Sequence, residues 1–105
     1  MNKAEISIVI LNYNGYKDTL ECLASILKMN YRNIKIVIVD NGSKNDSIKQ
    51  INLWLAKEKI DPMNVYIITT GENIGFARGN NIGIRHVLEN NRSEYILILN
   101  NDTVV

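Results

Sequence analysis

Four times along the chain an apolar run breaks abruptly into carboxamides, carboxylates and hydroxyls. Ile6 to Leu11 runs into Asn12-Tyr13-Asn14, Ile34 to Val39 into Asp40-Asn41-Gly42-Ser43, Val65 to Thr69 into Thr70-Gly71-Glu72-Asn73, and Tyr95 to Leu99 into Asn100-Asn101-Asp102-Thr103. Short continuous apolar runs are what strands buried on both faces look like, and each polar tail then emerges at a strand's carboxyl end. In open parallel sheets that end is where ligands bind. If the four strands are parallel, all four tails converge on one rim.

Between the runs the period changes to that of a helix. Over Asp18 to Met29, Leu20, Leu23, Ala24 and Leu27 fall at helical spacing, with Lys17, Glu21 and Lys28 off the stripe. Asn45, Asp46 or Ser47 can cap a second helix, whose Ile48, Ile51 and Leu55 repeat the stripe, with Trp54 at its edge, until Asp61-Pro62 stops it. A third helix is expected after Gly71, although Gly75, Gly79, Asn80, Asn81 and Gly83 stand where good helix formers belong. Such a violation marks function or close backbone approach. Ile84, Val87 and Leu88 then predict an ordinary buried face. Strands alternating with helices predict a three-layer α/β/α sandwich with right-handed crossovers.

Composition narrows the reading by exclusion. At 105 residues the chain fits one domain, which buries roughly 60 to 70% of its unfolded surface. A net charge of +1 with Lys and Glu intermixed gives no basic stripe, so nucleic acid is not an expected partner. Cys22 is the only cysteine; no internal disulfide is possible, a structural zinc site is disfavoured, and a reducing cytoplasm suits the chain. Cys22 reads as a small core residue. No apolar run approaches the ~20 residues of a membrane helix. The sequence stops at Val105, directly after its most chemical-looking tail, which predicts a piece of a longer protein.

The rim carries the candidate chemistry. No G-x-G-x-x-G follows the first strand and no G-x-x-x-x-G-K-[ST] exists, so neither dinucleotide fingerprint nor P-loop is present. A nucleotide can still bind through side chains and a metal. Asp102 is a hard oxygen ligand of the kind Mg²⁺ or Mn²⁺ takes when a diphosphate completes the shell, and Asn100 offers an amide oxygen two residues earlier; both could instead open a turn or cap a helix. Asp40 can accept from a nucleobase N–H or a ribose hydroxyl, or it can cap the Asn41-Gly42-Ser43 turn. Asn12, Tyr13 and Asn14 could line a base pocket, Tyr13 being equally suited to edge packing. Arg78 can meet phosphate or base if its helix start faces the rim, or stay solvated. His86 lies about two helical turns on and is assigned no chemistry.

In order, Ile8-Val9-Ile10-Leu11-Asn12-Tyr13-Asn14, Ile38-Val39-Asp40-Asn41-Gly42-Ser43, Glu72-Asn73-Ile74-Gly75-Phe76-Ala77-Arg78-Gly79-Asn80-Asn81 and Leu99-Asn100-Asn101-Asp102-Thr103 resemble the successive motifs of family 2 glycosyltransferases with the GT-A fold. The resemblance covers nearly the whole chain, and its wording is most similar to the rhamnosyltransferase-like branch of bacterial cell-surface polysaccharide synthesis. It implies a Rossmann-like parallel sheet of order 3-2-1-4, truncated after strand four, in which residues 1–105 form the donor half. It implies a nucleoside-diphosphate sugar, UDP- or dTDP-linked by preference, Mn²⁺ or Mg²⁺, and inversion at the sugar carbon. By the same resemblance Asn12, Tyr13 and Asn14 line the base pocket, Asp40 contacts the base, Arg78, Asn100 and Asn101 complete the donor site, and Asp102 holds the metal. The first position of the D-x-D-like motif is Asn100, which weakens the metal site by one negative charge.

The acceptor, saccharide or lipid-linked, and the catalytic base are expected beyond Val105, so no catalytic residue is assigned here. The parent enzyme is expected in the cytoplasm, with peripheral attachment to the inner membrane. Strand four would lie at an edge with no charge or proline between Ile96 and Leu99, and a homodimer through it is expected. Two other classes stay open. A phosphatase of the haloacid-dehalogenase type uses D-x-D-x-[TV], which Asn100-x-Asp102-x-Val104 imitates with an amide at the nucleophile position. A non-catalytic, flavodoxin-like binding domain would use Asp40 and Asp102 as separate strand-end acids.

Overall fold

The computed structural model describes residues 4–101. Strands and helices alternate as β1 (Ile6–Asn12), α1 (Tyr16–Leu27), β2 (Ile34–Asp40), α2 (Ser47–Lys57), β3 (Val65–Thr69), α3 (Phe76–Asn90) and β4 (Tyr95–Asn100). All pairings are parallel and the sheet order is β3-β2-β1-β4. The polar tails, the fourth as far as Asn101, therefore do reach one rim. Among the described residues no helix is long and apolar enough to cross a membrane.

The pleat sorts the strand residues by size. Ile8, Ile10, Ile36 and Ile38 point to one face, where they form a core with Cys22, Leu23, Ile26 and Ile51 of α1 and α2. Val9, Val37 and Val39 point to the other and meet Val87 of α3, as the two-residue strand period requires. The smaller valine layer lets α3 come closer. A Cβ on Gly83 would lie 2.5 Å from Val9 Cγ1, and one on Gly79 2.6 Å from Leu11 Cδ1. The glycines that weaken this helix locally thus set its distance from the sheet. At the opposite end of the sheet, buried Ser7 bonds to Ser93 and Asn91, and Ser93 donates to Glu5, tying the start of β4 to β1.

Three expectations change. The buried side of α1 is Thr19, Cys22, Leu23 and Ile26, one position out of phase with the leucine stripe, and Leu27 is exposed; the hydroxyl of Thr19 turns inward to satisfy a buried amide described below. On α3 the sheet-facing line runs Gly79, Gly83, Val87, which carries Leu88 a further 100° round to the solvent side, where it is 72% exposed. The edge strands β3 and β4 are not buried on both faces; β3 pairs only with β2 among the described residues and Tyr66 is exposed. Strand β4 pairs only with β1 among the described residues, and its Tyr95, Leu97 and Ile98 are exposed.

Candidate functional site

The register of β1 against β2 places Asn12 beside Asp40, and both are even-numbered in strands whose even positions face α1. Their side chains therefore meet. Asn12 Nδ2 donates to Asp40 Oδ1 at 2.9 Å, and Asn12 Oδ1 accepts from Thr19 Oγ1 at 2.6 Å. Ser43 closes the cluster: its hydroxyl donates to Asp40 Oδ1 at 2.6 Å, its backbone N–H donates to Asp40 Oδ2 at 3.0 Å, and its Oγ accepts from the Asn14 N–H at 2.8 Å. Asn12 and Asp40 are 0% and 2% exposed. The Asp40 charge is held by three neutral donors, and the carboxylate keeps one of its roughly four acceptor directions. Asp40 thus does cap the Asn41-Gly42-Ser43 turn.

One residue later the pleat reverses. Asn41 points to the α3 side, where its Nδ2 donates to Gly75 O and Asn73 Oδ1 and its Oδ1 accepts from Ile74 N. Gly42 lies under this loop at φ +77°, with the Glu72 backbone 2.3 Å from where a Cβ would stand. Only glycine combines that dihedral with that approach. Thr70 Oγ1 donates to Glu72 O at 2.6 Å, so the β3–α3 loop is fixed at both ends.

Above this buttress the rim is open. Tyr13 is exposed and, with Leu11, Phe76, Asn100 and Asn101, lines a cleft of about 280 Å³ between the ends of β1 and β4. Asn14, at φ 53°, accepts from Lys44 N at 2.7 Å through Oδ1 and fastens the β1 tail to the β2 tail. Asn101 Nδ2 reaches Gly15 O at 3.3 Å. Arg78 is not part of this cleft; it lines a separate depression with Ile74, Asn81, Ile82 and Arg85. Asp102 lies outside the described residues. Among the described residues no group of three or more His, Cys, Asp or Glu could hold a metal. The carboxamide oxygens of Asn100 and Asn101 at the cleft are hard donors that suit Mg²⁺ or Mn²⁺ only with a carboxylate and a ligand's phosphates added.

Sequence reading missed three participants. In the sequence Ser43 reads only as part of the turn that Asp40 caps, and Thr19 is not singled out, although a Thr among the residues one position from an apolar stripe can signal a buried acceptor. Phe76 follows Gly75 at the head of α3 and is 60% exposed beside the cleft, and an exposed aromatic at a strand-end cleft is such a signal.

An open parallel sheet of order β3-β2-β1-β4 with an aromatic- and amide-lined cleft at the β1/β4 switch point defines an α/β domain of the kind that takes ligands at the carboxyl ends of its strands. The chain belongs to glycosyl transferase family 2, whose defining sequence pattern matches residues 7–105. It is 32% identical over 100 residues to the glycosyltransferase GlyG of Streptococcus pneumoniae, covering 95% of this chain and 31% of GlyG. It is 33% identical over 100 residues to the dTDP-rhamnosyl transferase RfbF of Shigella flexneri, covering 95% and 30%. Its fold superposes on the Pyrobaculum calidifontis mannosyltransferase PcManGT, solved with GDP-Man and Mn²⁺, with a TM-score of 0.84 at 20% identity, covering 99% of this chain and 29% of that one. The fold is of the GT-A type, and the chain spans about a third of the length of these relatives.

Proposed function

We propose that residues 1–105 form the donor half of an inverting glycosyltransferase that passes a sugar from UDP or dTDP to an acceptor hydroxyl, in the cytoplasm, for cell-surface polysaccharide. The supporting observations are two features of one rim, the open cleft of Leu11, Tyr13, Phe76, Asn100 and Asn101 and, at the ends of β1 and β2, the internally bonded Asn12–Asp40–Ser43 cluster, in a chain of this family. The name of RfbF supports a dTDP-linked donor, and PcManGT, bound to GDP-Man and Mn²⁺, supports a nucleotide sugar with a divalent cation.

In this reading the chain's residues hold the leaving group. The free acceptor direction of Asp40 takes the N3–H of uracil or thymine, which cytosine lacks, while Ser43 and Asn12 fix the carboxylate so that no rotamer freedom is lost on binding. Tyr13 and the Asn14 backbone border the base, Asn100 and Asn101 meet ribose and phosphate, and Asp102 holds the cation. The cation, when bound, neutralises charge developing on the departing diphosphate. Arg78 would meet phosphate only by swinging out of its own depression.

Titration calorimetry of UDP with and without Mn²⁺ tests the reading. Tight binding that requires Mn²⁺, and an Asp102→Asn variant that loses at least tenfold in Mn²⁺-supported affinity with metal-free affinity unchanged, are the expected results. Unaltered metal dependence in Asp102→Asn would make that residue a turn former. Binding of FMN or acetyl phosphate with no nucleoside diphosphate affinity would return the chain to the flavodoxin-like class.

A further inference from the structure

One side-chain polar atom of the described residues is buried and unpaired. Asn80, on α3, is 4% exposed, and its Oδ1 has no hydrogen-bond partner. A buried acceptor in that state costs stability that an apolar side chain of similar shape would not, so its presence needs a reason. Its place in the fold supplies one. At about 100° per residue the side chains of α3 come round the helix in the order His86, Gly79, Gly83, Val87, Asn80. His86 stacks on Tyr66 of β3 with ring centroids 4.3 Å apart, so that flank looks toward β3. Asn80, about 120° farther round, looks the other way along the β3-β2-β1-β4 order, toward β1 and β4. Its level is set by Gly79, where an added Cβ would lie 2.6 Å from Leu11 Cδ1. Leu11 pairs with Asn100, and residues paired in register point to the same face of the sheet. Phe76, one helical turn before Asn80, lines the cleft with Leu11 and Asn100. Asn80 therefore stands at the foot of the α3 wall of that cleft, on the side of Asn100.

We infer that Asn80 is a positioning residue for Asn100: its Oδ1 accepts from Asn100 Nδ2 when the donor binds, which turns the Asn100 carboxamide oxygen outward to the ribose hydroxyls. A carboxamide has a donor end and an acceptor end, and only the oxygen can accept from a ribose O–H. Asn100 is exposed at the end of β4, where its side chain is free to present either end. A fixed acceptor behind it selects one. The same turn gives the buried Asn80 oxygen the donor that it lacks, so a single side-chain rotation satisfies both amides and aims one of them at the ligand. This role rests on the donor-half reading given above, and it adds to that reading a residue that never touches the nucleotide.

Calorimetry of UDP at saturating Mn²⁺, run beside thermal melts of the full chain, tests it. Asn80→Leu removes the acceptor at similar side-chain length and should leave the melt at or above the parent's, since the unpaired buried oxygen is gone. UDP affinity should nevertheless fall by roughly three- to tenfold, the span of one neutral hydrogen bond. Asn80→Ala, which cannot overpack, carries the same measurement if the leucine variant melts low. In an Asn100→Ala background the change at position 80 should alter UDP affinity by less than about twofold, because the group it positions is absent. Unchanged UDP affinity in both position-80 variants, or an equal loss with and without the Asn100 side chain, would overturn the inference. So would affinity losses that appear only where the melt has dropped, which would make Asn80 a packing residue. No UDP binding by the parent chain would instead remove the donor-half reading, and this role with it.

Discussion

Replacing Asp40 by Asn keeps shape and removes charge, which makes it a sharp probe of the rim. The carboxylate accepts from Asn12 Nδ2, Ser43 Oγ and Ser43 N and is 2% exposed. An amide there has one acceptor oxygen, so whichever way it is turned its NH₂ confronts at least one of these donors. Hydrogen bonds to charged groups contribute about 1.5–3 kcal/mol each, and an unsatisfied buried donor costs about 1–3 kcal/mol. Ser43 Oγ can rotate to another partner, which leaves a net loss of about 2–3 kcal/mol. For a chain of this size that corresponds to a fall in Tm of about 10–15 °C. Circular dichroism melts read the stability, and calorimetry with UDP reads the base contact. The double variant Asn12→Asp/Asp40→Asn separates the two. Its carboxylate, moved to position 12, can accept from both Thr19 Oγ1 and the amide now at position 40, which restores much of the melt, yet position 40 no longer carries a carboxylate for N3–H. Stability recovered with UDP affinity still reduced about tenfold is the expected result. A single variant melting within a degree or two of the parent would refute the buttress, and full UDP affinity in the double variant would remove Asp40 from the base site.

Gly83→Ala should destabilise the fold by about 1–3 kcal/mol in urea unfolding despite its better helix propensity, because its Cβ would stand 2.5 Å from Val9 Cγ1 and 3.0 Å from Val39 Cγ2; an unchanged midpoint would show that α3 can lift away freely. Sedimentation velocity should show concentration-dependent self-association of the chain through β4, reduced in Leu97→Lys, since Leu97 is exposed on a strand with one unpaired edge among the described residues. A monomer at every concentration would refute that edge pairing.

Much of this architecture could be read in the residues because β2, β3 and the sheet's parallel direction follow from apolar runs that turn polar at one end. The misfit glycines of α3 were legible as a sign of close approach, which the valine layer explains. The helix phases were not. A stripe of Leu20, Leu23 and Leu27 looks as good as one of Thr19, Cys22, Leu23 and Ile26 until Asn12 is known to need a donor, and Leu88 looks buried until Gly79 and Gly83 are known to face the sheet. The candidate site divided similarly: Asn12, Tyr13, Asn14, Asp40, Asn100 and Asn101 all sit at the rim, but which of them are occupied internally and which are open depends on register and pleat. Arg78 shows the limit, since its place in the motif says nothing of the side of α3 from which it leaves.

Asp40 and Asn41 are neighbours in sequence that fasten opposite layers, the first to β1 and the Ser43 turn on the α1 side, the second to the head of α3. That makes β2 sensitive to parity. Removing one residue between Ile34 and Val39 would reverse the faces on one side of the deletion, sending isoleucines to a helix that has glycines to receive valines, or the carboxylate to the loop that presents Gly75 O and Asn73 Oδ1 beside the Ile74 N–H. Removing two would keep every residue on its proper face and merely shorten the strand. Length variation in this strand should therefore be tolerated in even steps far better than in odd ones, a rule that can be applied when designing chimeras on this scaffold.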